Sequence, residues 1–216
     1  MSTSRPDTRR WWVVALALGV GVPFVARAPK PGRDDPTVPA TLDEAIAAVQ
    51  LSGLSGWEQV DYATRLVNRR FLHYSIWHTW ESPRLAYRHR RGHSNQYNLA
   101  LATLLRSVGF DVTVVHAARV RGEGNPWWHV GHTWLRVSYD GVSRDVCASA
   151  ASNTAGHVNF VPASQVRPAN PWSPLVMAVA LLLFTVPAVW RSWLTGRPVP
   201  RWLYRPFGTP VGAASK

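Results

Sequence analysis

Ser94 lies at the predicted start of a helix, where a side chain could take part in chemistry. The helix is predicted from apolar residues that recur every three or four positions, namely Tyr97, Leu101, Leu104, Leu105 and Val108. Gly109 follows them and is typical of a helix end. Free backbone N–H groups and the positive end of the helix dipole stabilise an anion at such a start, for example an ionised nucleophile or an oxyanion. A serine there is also a common N-cap, so it fits a purely structural role as well.

Short motifs occur in order along the middle of the chain. They are Gly92-His93-Ser94, Leu104-Leu105-Arg106-Ser107-Val108-Gly109, His132-Thr133-Trp134-Leu135-Arg136-Val137 and Arg144-Asp145. By order and spacing they resemble the transglutaminase-like superfamily, which includes the arylamine N-acetyltransferases and has a papain-like core. The resemblance covers residues 84–147 well and residues 42–83 loosely. Gln96 and Asn98 also fall where the acetyltransferases carry Glu and Asn after their cysteine.

This resemblance implies catalytic roles for Ser94, His132 and Asp145. In these families a cysteine attacks an acyl group, a histidine takes and returns the proton, and an aspartate holds the imidazole. Ser94 stands at the position of that cysteine. A serine hydroxyl is not ionised near neutral pH as a thiol can be, so it needs a general base during the attack and an oxyanion site placed for it.

The predicted hairpin separates two of these residues. Asp140-Gly141 is a strong signal for a two-residue turn between the strands His132–Tyr139 and Val142–Val146. A tight turn pairs residues whose numbers sum to 281, which sets Asp145 opposite Arg136 and about 13 Å along the strands from His132. A hydrogen bond between Asp145 and His132 therefore requires a wider loop or a bulge.

The predicted elements give an α+β domain over residues 41–168. Thr41-Leu42-Asp43-Glu44 is a capping-box pattern that opens a helix ending near Gln50, and a second helix is predicted from Trp57 to about Phe71. Phe110–Val120 alternates like a buried strand, and an edge strand is predicted around Val158–Val161. This order predicts N-terminal helices packed on an antiparallel sheet, as in a transglutaminase-like (papain-like) domain.

The net charge of +12 is concentrated at the two ends of the chain. Residues 1–33 carry +5, residues 34–168 carry +2 and residues 169–216 carry +5. This distribution is typical of anchoring beside a membrane and argues against a basic nucleic-acid-binding face on the central domain. We therefore expect a membrane partner and no nucleic acid. Twelve tryptophans, several of them flanking apolar runs, also favour a membrane interface.

Two apolar segments predict a two-pass protein of the cell membrane. After a short N-terminal segment (1–10), residues 11–28 are a transmembrane helix or signal-anchor, with a cleaved signal peptide processed near Ala26-Arg27-Ala28 as the alternative. A linker (29–40) leads into the domain, and residues 172–190 form a longer uncharged run. The arginines that follow predict a basic cytoplasmic tail (191–216). Both termini are then expected to be cytoplasmic and the central domain extracytoplasmic.

The histidines do not predict a metal site. His129-x-x-His132 would put two imidazoles on opposite faces of a strand, and no cysteine or acidic cluster accompanies them. We expect no cofactor. Cys147 is the single cysteine, so it cannot form an intramolecular disulfide and does not indicate a redox compartment.

Several functions fit these observations. The first is a membrane-anchored extracytoplasmic module that lacks thiol catalysis and binds a protein or peptide partner in the cell envelope, because Ser94 replaces the cysteine. The second is an active acyltransferase or amide hydrolase that uses Ser94, His132 and Asp145, or a cysteine if Ser94 is an introduced substitution. The third is a subunit of a membrane complex whose soluble part only contacts partners.

Overall fold

The computed structural model of the chain describes residues 8–30, 36–123, 125–170 and 172–208. Its helices are α1 (Thr8–Ala26), α2 (Leu42–Gln50), α3 (Gly56–Arg70), α4 (Pro83–His89), α5 (Ser94–Ser107) and α6 (Ser173–Thr195). Its strands are β1 (His73–Ser75), β2 (Arg91–Gly92), β3 (Asp111–Gly122), β4 (Asn125–Tyr139), β5 (Val142–Val146), β6 (Phe160–Pro162), β7 (Val166–Pro168) and β8 (Tyr204–Pro206). Parts of the predicted N-terminus (1–10), linker (29–40) and tail (191–216) lie outside the described residues.

The helix that follows the linker begins where its capping box predicts. The Thr41 hydroxyl accepts from the Glu44 N–H at 3.2 Å, and the Glu44 carboxylate accepts from the Thr41 N–H at 3.3 Å. Hydrogen bonds from the backbone of Ala40 and Thr41 lower the pKa of Glu44. The reciprocal pair satisfies N–H groups that the first turn of a helix leaves free. These contacts set the entry of α2 into the domain.

The larger sheet is antiparallel, in the order β5-β4-β3-β6, with β7 also paired to β3. Asp140 and Gly141 have φ angles of 50° and 71°, the left-handed conformation that a tight hairpin turn requires. Leu135 pairs with Val146, and Arg136 pairs with Asp145. The register is therefore the tight-turn register that the sequence predicts, in which paired numbers sum to 281.

Helix α5 is the centre of the domain. It contacts α2, α3, α4 and the strands β3 and β4. Its apolar residues Tyr97, Leu101, Leu104 and Leu105 are buried in the main core, which also contains Trp134 and Leu135 of β4. The fold is thus α+β, with N-terminal helices packed against an antiparallel sheet. The first residue of α5 is Ser94, so the core packing positions it rigidly.

A second, three-stranded sheet has the order β2-β1-β8, and it changes the predicted domain boundary. Tyr74 of β1 pairs with Arg205 of β8, and the Phe207 N–H donates to the Leu72 carbonyl at 2.8 Å. Phe207 also packs edge-on against Tyr97 of α5. The sequence predicts residues 191–216 as a separate basic tail, whereas residues 204–207 belong to the folded domain. This pairing joins segments that are far apart along the chain, which local sequence patterns do not reveal.

Helices α1 and α6 form a second apolar unit beside the domain. Among the described residues, one helix, Ser173–Thr195, is long and apolar enough to cross a membrane, while the apolar helix Arg10–Ala26 is shorter. The Trp190 indole donates to the Val20 carbonyl at 3.2 Å, which joins the two helices. Phe24 stacks on Trp77 of the domain, and the Trp77 indole donates to the Phe24 carbonyl at 3.1 Å. The unit is therefore fixed to the domain by specific contacts.

Candidate functional site

Ser94 is the first residue of α5, and the preceding His93 is the N-cap. The residue is 5% exposed, and its hydroxyl has no hydrogen-bond partner among the described residues. Gln96 supplies the capping contacts instead, since its Oε1 accepts from the His93 N–H at 3.2 Å and lies 2.9 Å from His93 Nδ1. Ser94 therefore does not cap the helix with its side chain. The Ser94 hydroxyl lies beside the helix N-terminus and makes no hydrogen bond to a described residue there.

Gln96 also ties the start of α5 to the segment before α4. Its Nε2 donates to the carbonyl oxygens of His78 at 2.9 Å and Glu81 at 2.7 Å. The Glu81 carboxylate in turn accepts from Arg91 of β2 at 2.6 Å, in a buried ion pair. A buried side chain with all its polar atoms bonded fixes one geometry, because any displacement leaves unpaired groups. These contacts hold the N-terminal turn of α5 in place.

Asn98, one turn after Ser94, joins α5 to the interior of β4 and to the residues that follow β5. Its Nδ2 donates to the Thr133 carbonyl at 2.6 Å and lies 3.4 Å from Cys147 Sγ. Its Oδ1 accepts from the Ala148 N–H at 3.1 Å. Residues four apart on a helix share a face, with Cβ atoms about 5–6 Å apart. Ser94 and Asn98 therefore share one face of α5, and Asn98 contacts Cys147 from that face.

The histidine of the predicted site contacts a thiol. His132 Nε2 lies 3.3 Å from Cys147 Sγ, and that thiol also lies 3.2 Å from Ser149 Oγ. Burial, with smaller contributions from the neighbouring His116 and His93, lowers the pKa of His132 to about 3. Burial also raises the pKa of the Cys147 thiol, since this residue is completely buried. The pair is therefore a neutral imidazole beside a neutral thiol near pH 7.

Asp145 does not reach His132. Its Oδ1 accepts instead from Arg136 Nε at 3.2 Å, in an exposed ion pair across the hairpin. The tight turn explains this placement, because it sets Asp145 opposite Arg136 rather than near His132. The resemblance implies that Asp145 holds the imidazole. Its carboxylate instead contacts Arg136. No hydrogen bond joins Ser94 to His132 among the described residues.

Cys147 is the site residue that sequence reasoning misses. When the register fixed by Asp140-Gly141 is continued one residue beyond its last pair, residue 147 falls opposite residue 134, two positions from His132 and nearer to it than Asp145. The position of residue 147 follows from the turn, but a cysteine is not the residue type expected to orient an imidazole. The imidazole is therefore contacted by the side chain at 147, which is a thiol and not a carboxylate.

Comparisons with known proteins give no sequence match and a weak structural similarity. No family model matches the chain, and no curated protein matches it. Among solved structures, one described as the crystal structure of a TGase is similar, with a TM-score of 0.40 and 14% identity. The similarity covers 52% of this chain and 31% of that one, so the chain spans about a third of the length of the protein it matches.

The described residues contain no group of three or more His, Cys, Asp or Glu side chains arranged to hold a metal ion. The side chain of His129, which the sequence pairs with His132, lies outside the described part. His132 contacts Cys147 and Phe160, and the centroids of the Phe160 ring and the imidazole are 4.6 Å apart.

Proposed function

We propose that the chain is a membrane-attached, transglutaminase-like domain that no longer performs acyl transfer and acts as a binding module. The observation that carries this proposal is the contact of His132 Nε2 with Cys147 Sγ at 3.3 Å. In a working nucleophile–histidine–acid set, the imidazole must accept the nucleophile's proton and be stabilised as an imidazolium by a carboxylate. Here the residue beside the imidazole is a thiol that burial keeps neutral.

The electrostatics of the site oppose general-base catalysis. A histidine with a pKa of about 3 is a weak base, so it removes a serine proton poorly. Serine requires a base during the attack because its hydroxyl stays protonated near neutral pH. The serine at position 94 and the thiol beside the imidazole therefore act in the same direction. A fold retained without its chemistry is consistent with a role in binding a protein or peptide partner of the cell envelope.

Activity-based labelling tests this assignment. We expect the purified full chain in detergent to remain unlabelled at Ser94 by a fluorophosphonate probe, with the same result for Ser94→Ala. Peptide mass spectrometry locates any adduct. Labelling of Ser94 that disappears in His132→Ala would contradict the proposal and support an active serine acyltransferase or hydrolase, which the unbonded Ser94 hydroxyl favours as the alternative.

We also propose that α1 and α6 hold the domain on a membrane surface, with α6 lying along it. The Ala169 N–H donates to the Val114 carbonyl at 2.8 Å just before α6, and β8 pairs with β1 just after it. A helix whose two ends are both bound to one domain does not place them on opposite faces of a bilayer. These contacts argue against the predicted two-pass topology, in which residues 191–216 lie across the membrane from the domain.

A position of α6 between the domain and the membrane explains why this helix has apolar residues on all sides. Thr185, Val189 and Ser192 are buried on one side of α6, whereas Leu183 and Phe184 are exposed. A helix lying between the domain and the lipid is covered by apolar material on both sides. Its exposed side is then available to acyl chains.

Cysteine labelling distinguishes the two topologies. Ser152→Cys reports on the domain and Arg201→Cys on the segment after α6, both at exposed positions. In intact cells, we expect a membrane-impermeant maleimide to label both variants or neither, and permeabilised cells to show labelling of both. The parent chain, whose single Cys147 is buried, gives the background. Opposite labelling of the two positions would restore the two-pass topology.

A further inference from the structure

A cleft at the C-terminal end of α6 has the composition of a site for an anionic headgroup. Its volume is about 400 Å³, and it lies between the last turns of the helix and the segment that returns to β8. Its lining residues include Arg191, Arg197 and Trp202, and also Ser192 and Thr195, which carry hydroxyl groups. It is remote from Ser94 and His132 in sequence and is built from different elements.

The cleft carries positive charge without a compensating acid. Arg191 and Arg197 are exposed, and neither guanidinium has a hydrogen bond or ion pair to another described residue. Residues 169–216 contain no aspartate or glutamate. Guanidinium groups bind phosphate oxygens well because their N–H donors lie in a planar fork. The chemistry of the cleft therefore favours a phosphate-containing anion.

The end of the helix is closed in a way that reduces its repulsion of an anion. The N–H groups of Gly196 and Arg197 donate to the carbonyls of Trp193 and Ser192, and the Thr195 hydroxyl donates to the Arg191 carbonyl. Carbonyl oxygens at a helix C-terminus otherwise disfavour negative charge. These contacts engage carbonyl oxygens of the last turns, which reduces the negative partial charge that the helix end presents beside the two arginines.

The neighbouring surface indicates the source of the anion. Leu183, Phe184 and Leu194 of α6 are largely exposed, which is an apolar surface suited to acyl chains. Trp190 and Trp193 pack together near the same end, and Trp202 lines the cleft. Tryptophan is enriched at the depth where lipid headgroups lie. We propose that this cleft binds the anionic phosphodiester headgroup of a membrane lipid.

This inference rests on the proposed membrane attachment, and its test separates the two. The purified full chain in dodecyl maltoside micelles is titrated with phosphatidylglycerol or phosphatidylcholine that carries a fluorophore on the acyl chain, and energy transfer from tryptophan reports binding. We expect tighter binding of phosphatidylglycerol. Arg191→Gln with Arg197→Gln should weaken that binding roughly 30-fold, since each basic residue near an anionic surface contributes about fivefold. Both side chains are exposed, so the variant should fold.

A matched variant controls for total charge. Arg65→Gln with Arg119→Gln removes the same charge from exposed positions on α3 and β3, and we expect unchanged phosphatidylglycerol binding. Equal binding of the two lipids, or an equal loss in the control variant, would overturn the headgroup site. Displacement of the lipid by millimolar inorganic phosphate would overturn the lipid as its ligand in favour of a soluble anion. Recovery of the unaltered chain outside the membrane fraction of cells would instead contradict the proposed membrane attachment.

Discussion

Replacing Asn98 with alanine is expected to lower the free energy of unfolding by about 3 kcal/mol. The side chain is completely buried, and the truncation leaves the Thr133 carbonyl and the Ala148 N–H without their partners. A buried backbone group left unpaired costs about 1–3 kcal/mol. For a chain of this size, the melting temperature should fall by about 10 °C, measured by circular dichroism of the full chain in detergent.

Asn68→Ala provides a matched control. Asn68 of α3 also bonds to residue 148, where its Nδ2 donates to the Ala148 carbonyl at 2.9 Å, but the side chain is only partly buried. We expect a loss of about 1 kcal/mol, because water can replace this single hydrogen bond. Equal small losses in the two variants would show that the Asn98 amide does not hold α5 to the end of the hairpin.

The local elements of the fold were predictable because their signals lie in consecutive residues. Thr41 and Glu44 form the capping box, and Asp140-Gly141 forms the tight turn, each as its sequence pattern predicts. The turn also fixes the register of β4 and β5, from which the separation of Asp145 from His132 follows. Here the physical cause acts over a few residues, so a single sequence contains the necessary information.

The remaining features depend on contacts between distant segments. Strand β8 has three residues and exists because Tyr204–Pro206 meets β1, so its own sequence carries no strand pattern. The same pairing makes residues 204–206 part of the domain, whereas charge and hydropathy alone predict a separate tail. Cys147 was missed for another reason, since its place in the site is set by geometry while its residue type suggests no role in holding an imidazole.

A paired substitution is expected to increase the alkylation rate of a thiol at position 94 by about tenfold. Ser94→Cys alone should react slowly with iodoacetamide at about pH 6, because His132 has a pKa of about 3 and, being uncharged, gives a thiolate no electrostatic support. Adding Cys147→Asp places a carboxylate beside His132 Nε2, which favours the imidazolium and raises the pKa of His132. An imidazolium and a helix N-terminus together lower the pKa of a thiol. A decrease of about two pKa units increases the thiolate fraction about 100-fold at a pH below both values, while the lower basicity reduces the nucleophilicity of the thiolate roughly tenfold.

Two further variants isolate the charge at position 147. Ser94→Cys with Cys147→Asn keeps the shape of the aspartate without its charge, and we expect it to react as slowly as Ser94→Cys alone. Adding His132→Gln to the reactive pair should remove the increase, since the carboxylate acts through the imidazole. Melting temperatures verify that each variant is folded, and peptide mass spectrometry assigns the adduct to position 94. If the variants with aspartate and asparagine at position 147 are alkylated at equal rates, the charge at position 147 does not control the reactivity of a thiol at position 94. The lack of a carboxylate beside His132 would then not explain the low reactivity of this site.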